Sequence, residues 1–163
     1  MSIRPVLLWP DARLATRCRT VGPGDDAAGL ADDLLETMYH AAGRGLAAPQ
    51  VGAMLALFVT DSGWKQGAPC PMVFINPAIL SASESQSTSS EGCLSIPGIS
   101  ADVTRPAEIK LRWLGLDGAP DDREFTGFEA TCIQHEMDHL EGIVTLDRVG
   151  PEARARLLRD YAA

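Results

Sequence analysis

Gln134-His135-Glu136-Met137-Asp138-His139 is the one stretch in which two of the chain's three histidines stand four residues apart. Residues i and i+4 of a helix share a face, so a helix here aims both imidazoles at one point with Glu136 beside it. The flanking Ile133, Met137 and Leu140 give that helix an apolar side, and unpaired imidazoles against a core are costly. The stretch therefore reads as a metal-binding helix that carries its own base. The rest of the chain is then a question of what packs on this helix and what completes its site.

Working outward, the spacing predicts the central helix over 128–140, with Gly142 as its stop, and a short terminal helix over 152–161 opened by Pro151. Upstream, 123–126 reads as a strand returning antiparallel to a single long strand over 103–116, in which Ile109, Leu111 and Trp113 alternate with Lys110 and Arg112 before the Asp117-Gly118 turn. Residues 55–60 and 73–79 read as two more strands, separated by a Gly/Pro loop. The Ser-rich run 81–90 reads as a loop or an exposed hairpin arm. Over 27–42, Leu30, Leu34, Leu35, Met38 and Ala42 recur at helical spacing, with Asp25 or Asp26 as cap and Gly43 as terminator. Residues 1–25 read as an extended, looping lead-in. Strands bracketed by separated helices predict an α+β fold: antiparallel sheets packed around a central metal-binding helix, with an N-terminal helix and a short C-terminal helix.

At 163 residues the chain is expected to form one domain, 1–163, large enough to bury roughly two-thirds of its unfolded surface. Hydrophobic residues at 45% and charged residues at 22% are ordinary for a soluble protein, and no apolar run approaches the roughly 20 residues of a spanning helix. The first ten residues lack the apolar core of a signal peptide, so a cytosolic, cytoplasmic location is expected. Cys18, Cys70, Cys93 and Cys132 follow no pairing rhythm and need no disulfides in a reducing compartment. The net charge of −8 argues against a groove for free nucleic acid.

A catalytic site built on His135 and His139 needs a third protein ligand and one open position. The HExxHxxGxxH plan of one protease group fails, because Thr145 stands where its last histidine belongs. Glu152 is conceivable as a ligand on a following helix, although little chain is left to carry it. His40 lies at a helix end, where a surface or capping role is the commoner one. Cys132 shares the helix with both histidines, and one helix rarely supplies three ligands to one ion. Cys93, from a distant Gly-flanked segment, is the better choice, and a Cys-His-His set suits iron or zinc.

Three stretches in order now resemble the peptide deformylase family: Gly43-Arg44-Gly45-Leu46-Ala47-Ala48-Pro49-Gln50, Glu91-Gly92-Cys93-Leu94-Ser95, and Gln134 to His139. They are similar to that family's GxGLAAxQ, EGCxS and QHExDH motifs, all complete. The resemblance extends through Trp9-Pro10-Asp11, Asn76-Pro77, Arg105 and Leu146-Asp147-Arg148, and covers nearly the whole chain. It implies a metal-dependent hydrolase that removes the formyl group from the N-terminal formylmethionine of new polypeptides. By the same resemblance Cys93, His135 and His139 are the metal ligands, and Glu136 is the general base acting on a water in the fourth position. The Gln50 amide and the Leu94 N–H become oxyanion donors. Gly45 pairs with the substrate backbone, while Gly43, Thr131, Cys132, His135 and Leu94 surround the methionine side chain. Glu91, Arg105 and Asp138 form an ion network behind the ligands.

The resemblance also implies one Fe2+ per chain, with Zn2+, Ni2+ or Co2+ as substitutes. Its implied partners are formylated nascent peptides and the ribosome near the exit tunnel, with no free nucleic acid and no membrane, and the chain acting as a monomer. Two other readings accompany it: a related hydrolase of another N-formyl or N-acyl substrate, and a peptide N-terminus binder without turnover. One departure is local. Ile99-Ser100-Ala101-Asp102 stands where many bacterial members carry a basic residue near the cleft mouth.

Overall fold

The computed structural model describes residues 2–162. Helix α1 spans Ala27–His40, α2 Gly127–Leu140 and α3 Pro151–Ala162. Strands β1 (Gly45–Ala47), β2 (Leu57–Thr60), β3 (Met72–Ala82), β6 (Glu108–Leu114) and β7 (Pro120–Thr126) form an antiparallel sheet in the order β1-β2-β3-β6-β7. Strands β4 (Gln86–Cys93) and β5 (Ile96–Pro106) form a second, two-stranded antiparallel sheet. The expected α+β class is the class observed.

Alternation along the five strands assigns each face to one helix. Ala47, Phe58, Phe74, Leu111, Trp113 and Phe125 are buried beneath Ala130, Ile133 and Leu140 of α2. The rings of Phe58, Phe74, Trp113 and Phe125 pack with centroids 4.7 to 6.1 Å apart, the range in which aromatic pairs attract. On the opposite face Leu46, Leu57, Val59 and Ile75 meet Leu30, Leu34 and Met38 of α1. Ile96, Ala101 and Val103 of β5 pack with Leu14, Val144, Leu146 and Leu157, which brings α3 against the smaller sheet.

Two sequence expectations need correction. The strand expected over 103–116 is two strands in different sheets, broken at a bend at Ala107, whose N–H bonds to Ser85. Pro106 has no N–H to continue the ladder. The alternation does not reveal the break, because Val103, Arg105, Ile109, Leu111 and Trp113 keep one parity across it. The second concerns Gly43. Helix α1 ends at His40, the left-handed residue is Ala42 (φ 57°), and Gly43 N–H reaches back to Met38 C=O at 2.9 Å. A Cβ at Gly43 would stand 2.8 Å from Leu94 Cδ1, so that side chain would have to move aside. The Ser-rich run ends β3, crosses between the sheets and from Gln86 is the exposed arm of the β4-β5 hairpin, one of the two forms expected for it.

The lead-in is tied down at several points. Leu7 N–H donates to Gln50 C=O at 2.7 Å and Trp9 N–H to Ser95 C=O at 2.9 Å. The Asn76 side chain brackets Val21 through both backbone groups. No helix among the described residues is long and apolar enough to cross a membrane.

Candidate metal centre and its cleft

One face of α2 carries Phe128, Thr131, Cys132, His135 and Glu136 along a cleft of about 460 Å³, and His139 follows one turn later. The His135 and His139 rings lie 5.0 Å apart between centroids, as the four-residue spacing requires. The third member arrives from the smaller sheet. A register shift between Gly92 and Cys93 ends β4, and the Leu94-Ser95 turn sets Cys93 opposite Ile96. Cys93 Sγ is 3.4 Å from His139 Nε2, and the candidate ligand atoms of Cys93, His135 and His139 all lie within 4.8 Å of one another.

This donor set fits a transition-metal ion. One thiolate and two imidazoles from two separate elements converge, and two buried polar atoms beside them, Glu136 Oε2 and His139 Nδ1, have no hydrogen-bond partner. Buried polar groups are seldom left unpaired without a functional reason. The other ligand candidates lie elsewhere. His40 is exposed at the end of α1 and Glu152 in the first turn of α3. Cys132 lines the cleft but donates its thiol to Arg44 C=O at 3.6 Å. Burial, aided by the Glu136 carboxylate, pushes its pKa well up, so it is a neutral thiol.

Behind the histidines runs a chain of charges. Glu91 Oε1 accepts from His135 Nδ1 at 3.0 Å, which fixes the ring and leaves Nε2 for the metal side. Arg105, 5% exposed, donates to both Glu91 oxygens at 2.8 and 2.9 Å and to Asp138 at 2.9 Å. Arg148 closes the series on Asp138 at 2.6 and 3.0 Å. The sequence reading placed Glu91, Arg105 and Asp138 together but not Arg148, whose link needs the turn after α2 to fold back.

These contacts set the titration. Burial works to raise Glu91, but the bonds from Arg105 and His135 outweigh it and hold the carboxyl below its usual range. Burial lowers His135, but its bonds to Cys93 and Glu91 reverse the sign and, without an ion, hold it well above an ordinary imidazole, so metal binding at this ring would release a proton. His139, buried and facing His135, is held well below the ordinary value, the neutral form a ligand requires. Burial pushes Glu136 up to about 7.

Gln50 is buried in a 3-10 turn after β1. Its Oε1 accepts from Ala47 N–H at 3.0 Å, which turns Nε2 toward Ser95 Oγ at 3.1 Å and Cys93 Sγ at 3.7 Å. Ser95, fully buried, has no role assigned to it from the sequence, although it is the last fixed position of the EGCxS match. Leu94, Gly43, Gly45 and Thr131 all line the cleft. At Gly45 a Cβ would stand 2.7 Å from Glu136 Oε1 and 3.1 Å from Cys132 Sγ. Ser100 and Asp102 are exposed, and Gly98 and Ile99 rather than these two form the rim.

The description Polypeptide deformylase belongs to the family profile that matches residues 3–155. The chain is 41% identical over 162 residues to the peptide deformylase of Mesorhizobium japonicum, covering 99% of this chain and 92% of that one. It is 45% identical over 160 residues to that of Alkalilimnicola ehrlichii, covering 98% and 89%. Among solved structures, the peptide deformylase of Ehrlichia chaffeensis in complex with actinonin superposes with a TM-score of 0.90 at 33% identity, covering 98% and 96% of the two chains. That of Legionella pneumophila does so at 0.91 and 35%, covering 99% and 94%.

Proposed function

Because this chain belongs to the polypeptide deformylase family and is a metal-dependent enzyme removing the formyl group from N-terminal formylmethionine, we propose the residues that perform that reaction here. Cys93, His135 and His139 hold the metal, which is ferrous iron, with zinc, nickel or cobalt as substitutes. The thiolate-plus-imidazole donor set supports this choice. When bound, the metal supplies a Lewis acid that makes water acidic enough to lose a proton near neutral pH.

Glu136 takes that proton and returns it to the leaving amine. The observation that carries this is its buried, unpartnered Oε2 beside the three converging ligands. A carboxylate tuned near neutrality is suited to both transfers. The Gln50 Nε2, held by its bond network, and the Leu94 N–H donate to the oxyanion as the formyl carbon becomes tetrahedral. Gly45 pairs with the peptide backbone, and Gly43, Thr131 and Cys132 border the methionine side chain. The Glu91-Arg105-Asp138-Arg148 chain positions His135.

The chain acts as a one-domain cytoplasmic monomer on formylated nascent peptides. The face of α3 bearing exposed Arg156 and Arg159 is the one available for the ribosome near the exit tunnel, whereas Arg154 is tied to Leu146 and Asp147. Formyl-Met-Ala-Ser turnover by iron- and nickel-loaded protein tests the assignment. Glu136→Ala is expected to keep its metal and lose at least ~10²-fold in kcat. Cys93→Ala is expected to lose the metal itself. Near-native turnover in the first, or full metal content in the second, rejects that residue's role.

A further inference from the structure

The cleft carries an unspent cation. Arg44 lines it, with the guanidinium stacked 5.0 Å above the centroid of the half-exposed Phe128 ring. Arg44 Nε is buried without a hydrogen-bond partner. Lys65 lines the same cleft, and Trp64 Nε1 donates to Gly43 C=O at 2.9 Å, which ties the Lys65 loop to the residue before Arg44. Among the described residues, neither cation belongs to an ion pair. In a chain of net charge −8 this is an uncompensated positive wall.

Position decides what it meets. Phe128 precedes His135 by seven residues, so the Arg44 head lies about 10 Å along α2 from the metal end. An extended peptide advances about 3.3 Å per residue. The formyl group and first side chain are therefore nearer the metal, and the second or third residue reaches Arg44. Among the described residues the Arg44 guanidinium is free of any ion pair, and an arginine head donates to a carboxylate in a planar, two-bond geometry.

We propose that Arg44, assisted by Lys65, makes this enzyme prefer formylmethionyl peptides with an acidic side chain at the second or third residue. The inference rests on the deformylase reading of the site. It places a selectivity on the wall where Arg44 meets α2, whereas Ser100 and Asp102 lie outside the cleft lining.

The test is steady-state kinetics of the metal-loaded protein on C-terminally amidated formyl-Met-Ala-Ser, formyl-Met-Glu-Ser, formyl-Met-Ala-Glu and the two lysine counterparts. Amidation removes the terminal carboxylate as a competing source of charge. One acidic peptide is expected to show a KM about three- to tenfold below that of the neutral one, with kcat little changed and the gain shrinking as salt rises. Arg44→Met is expected to abolish the difference and Arg44→Lys to restore part of it. Equal KM values for acidic, neutral and lysine peptides in the unmodified protein overturn the proposal without any variant, as does a preference that survives in Arg44→Met. Calorimetric binding of the deformylated products Met-Glu-Ser and Met-Ala-Ser reads the same preference without turnover. Loss of hydrolysis on every peptide would thus count against the deformylase reading alone.

Discussion

Gly45 shows how one missing methyl group protects a reacting carboxylate. The nearest obstacle to a Cβ at this position is Glu136 Oε1 at 2.7 Å, the far end of a flexible side chain, so Ala is accommodated by moving the base rather than the backbone. Misplacing a catalytic group by about 1 Å costs on the order of 10²-fold. Gly45→Ala is therefore expected to lower kcat by that order while metal content and melting temperature stay close to native; elemental analysis and kinetics on one preparation check this. Gly142 is the opposite case. It has φ 75°, and a Cβ there would stand 2.7 Å from the Ala15 carbonyl carbon, which is backbone and cannot swing aside. Gly142→Ala is expected to destabilise the fold by about 2 kcal/mol or more, read as a lower urea midpoint.

Helix α2 is an element whose buried side faces an aromatic core while its polar side faces charges. Asp138 and His135 are fixed from outside the helix, through Arg105 on β5 and Glu91 on β4. Replacing Arg105 by Met strips the buried Glu91 of its two arginine bonds, while Asp138 keeps Arg148, and is expected to cost about 3–5 kcal/mol. Loss of the support behind His135 is expected to weaken metal affinity about 10- to 100-fold. The pH dependence carries its own sign. Glu91 has a folded pKa depressed below 4.5, so its stabilisation is present above pH 4.5 and lost as pH falls through the lower folded value. Arg105→Met removes that depression, and its acid-unfolding midpoint, followed by circular dichroism, is expected to lie at higher pH than that of the native protein.

At the scale of the molecule, the candidate centre is a joint between the two sheets. Cys93 belongs to β4 of the smaller sheet, while His135 and His139 belong to the helix seated on the larger one. A metal held by all three binds the folded protein far better than the unfolded chain. It should therefore add stability in proportion to the logarithm of its concentration over Kd, about 4 kcal/mol at a thousandfold excess. Chelation is expected to lower Tm, and re-addition of nickel to restore it in the native protein but not in Cys93→Ala. A Tm indifferent to chelator, with metal loss verified, would mean that the sheets are joined without the ion.

The sequence by itself determined the helix of His135, Glu136 and His139, the amphipathic α1, most strand positions and, through three ordered motifs, the family and its reaction. These are local in origin: a four-residue spacing fixes a shared helical face, and periodicity fixes which side is buried. The sequence favoured Cys93 as the third ligand, but its 3.4 Å approach to His139 belongs to the tertiary structure, because the two are joined only by the packing of two sheets. It also decided that the alternating run from Val103 to Trp113 is split between those sheets, since parity is unbroken across Ala107 and carries no mark of the change. Finally, it decided the charge of the cleft. Arg44 is an unremarked residue between two glycines in the sequence, and only the approach of β1 to α2 seats its guanidinium on Phe128 with a buried, unpaired nitrogen.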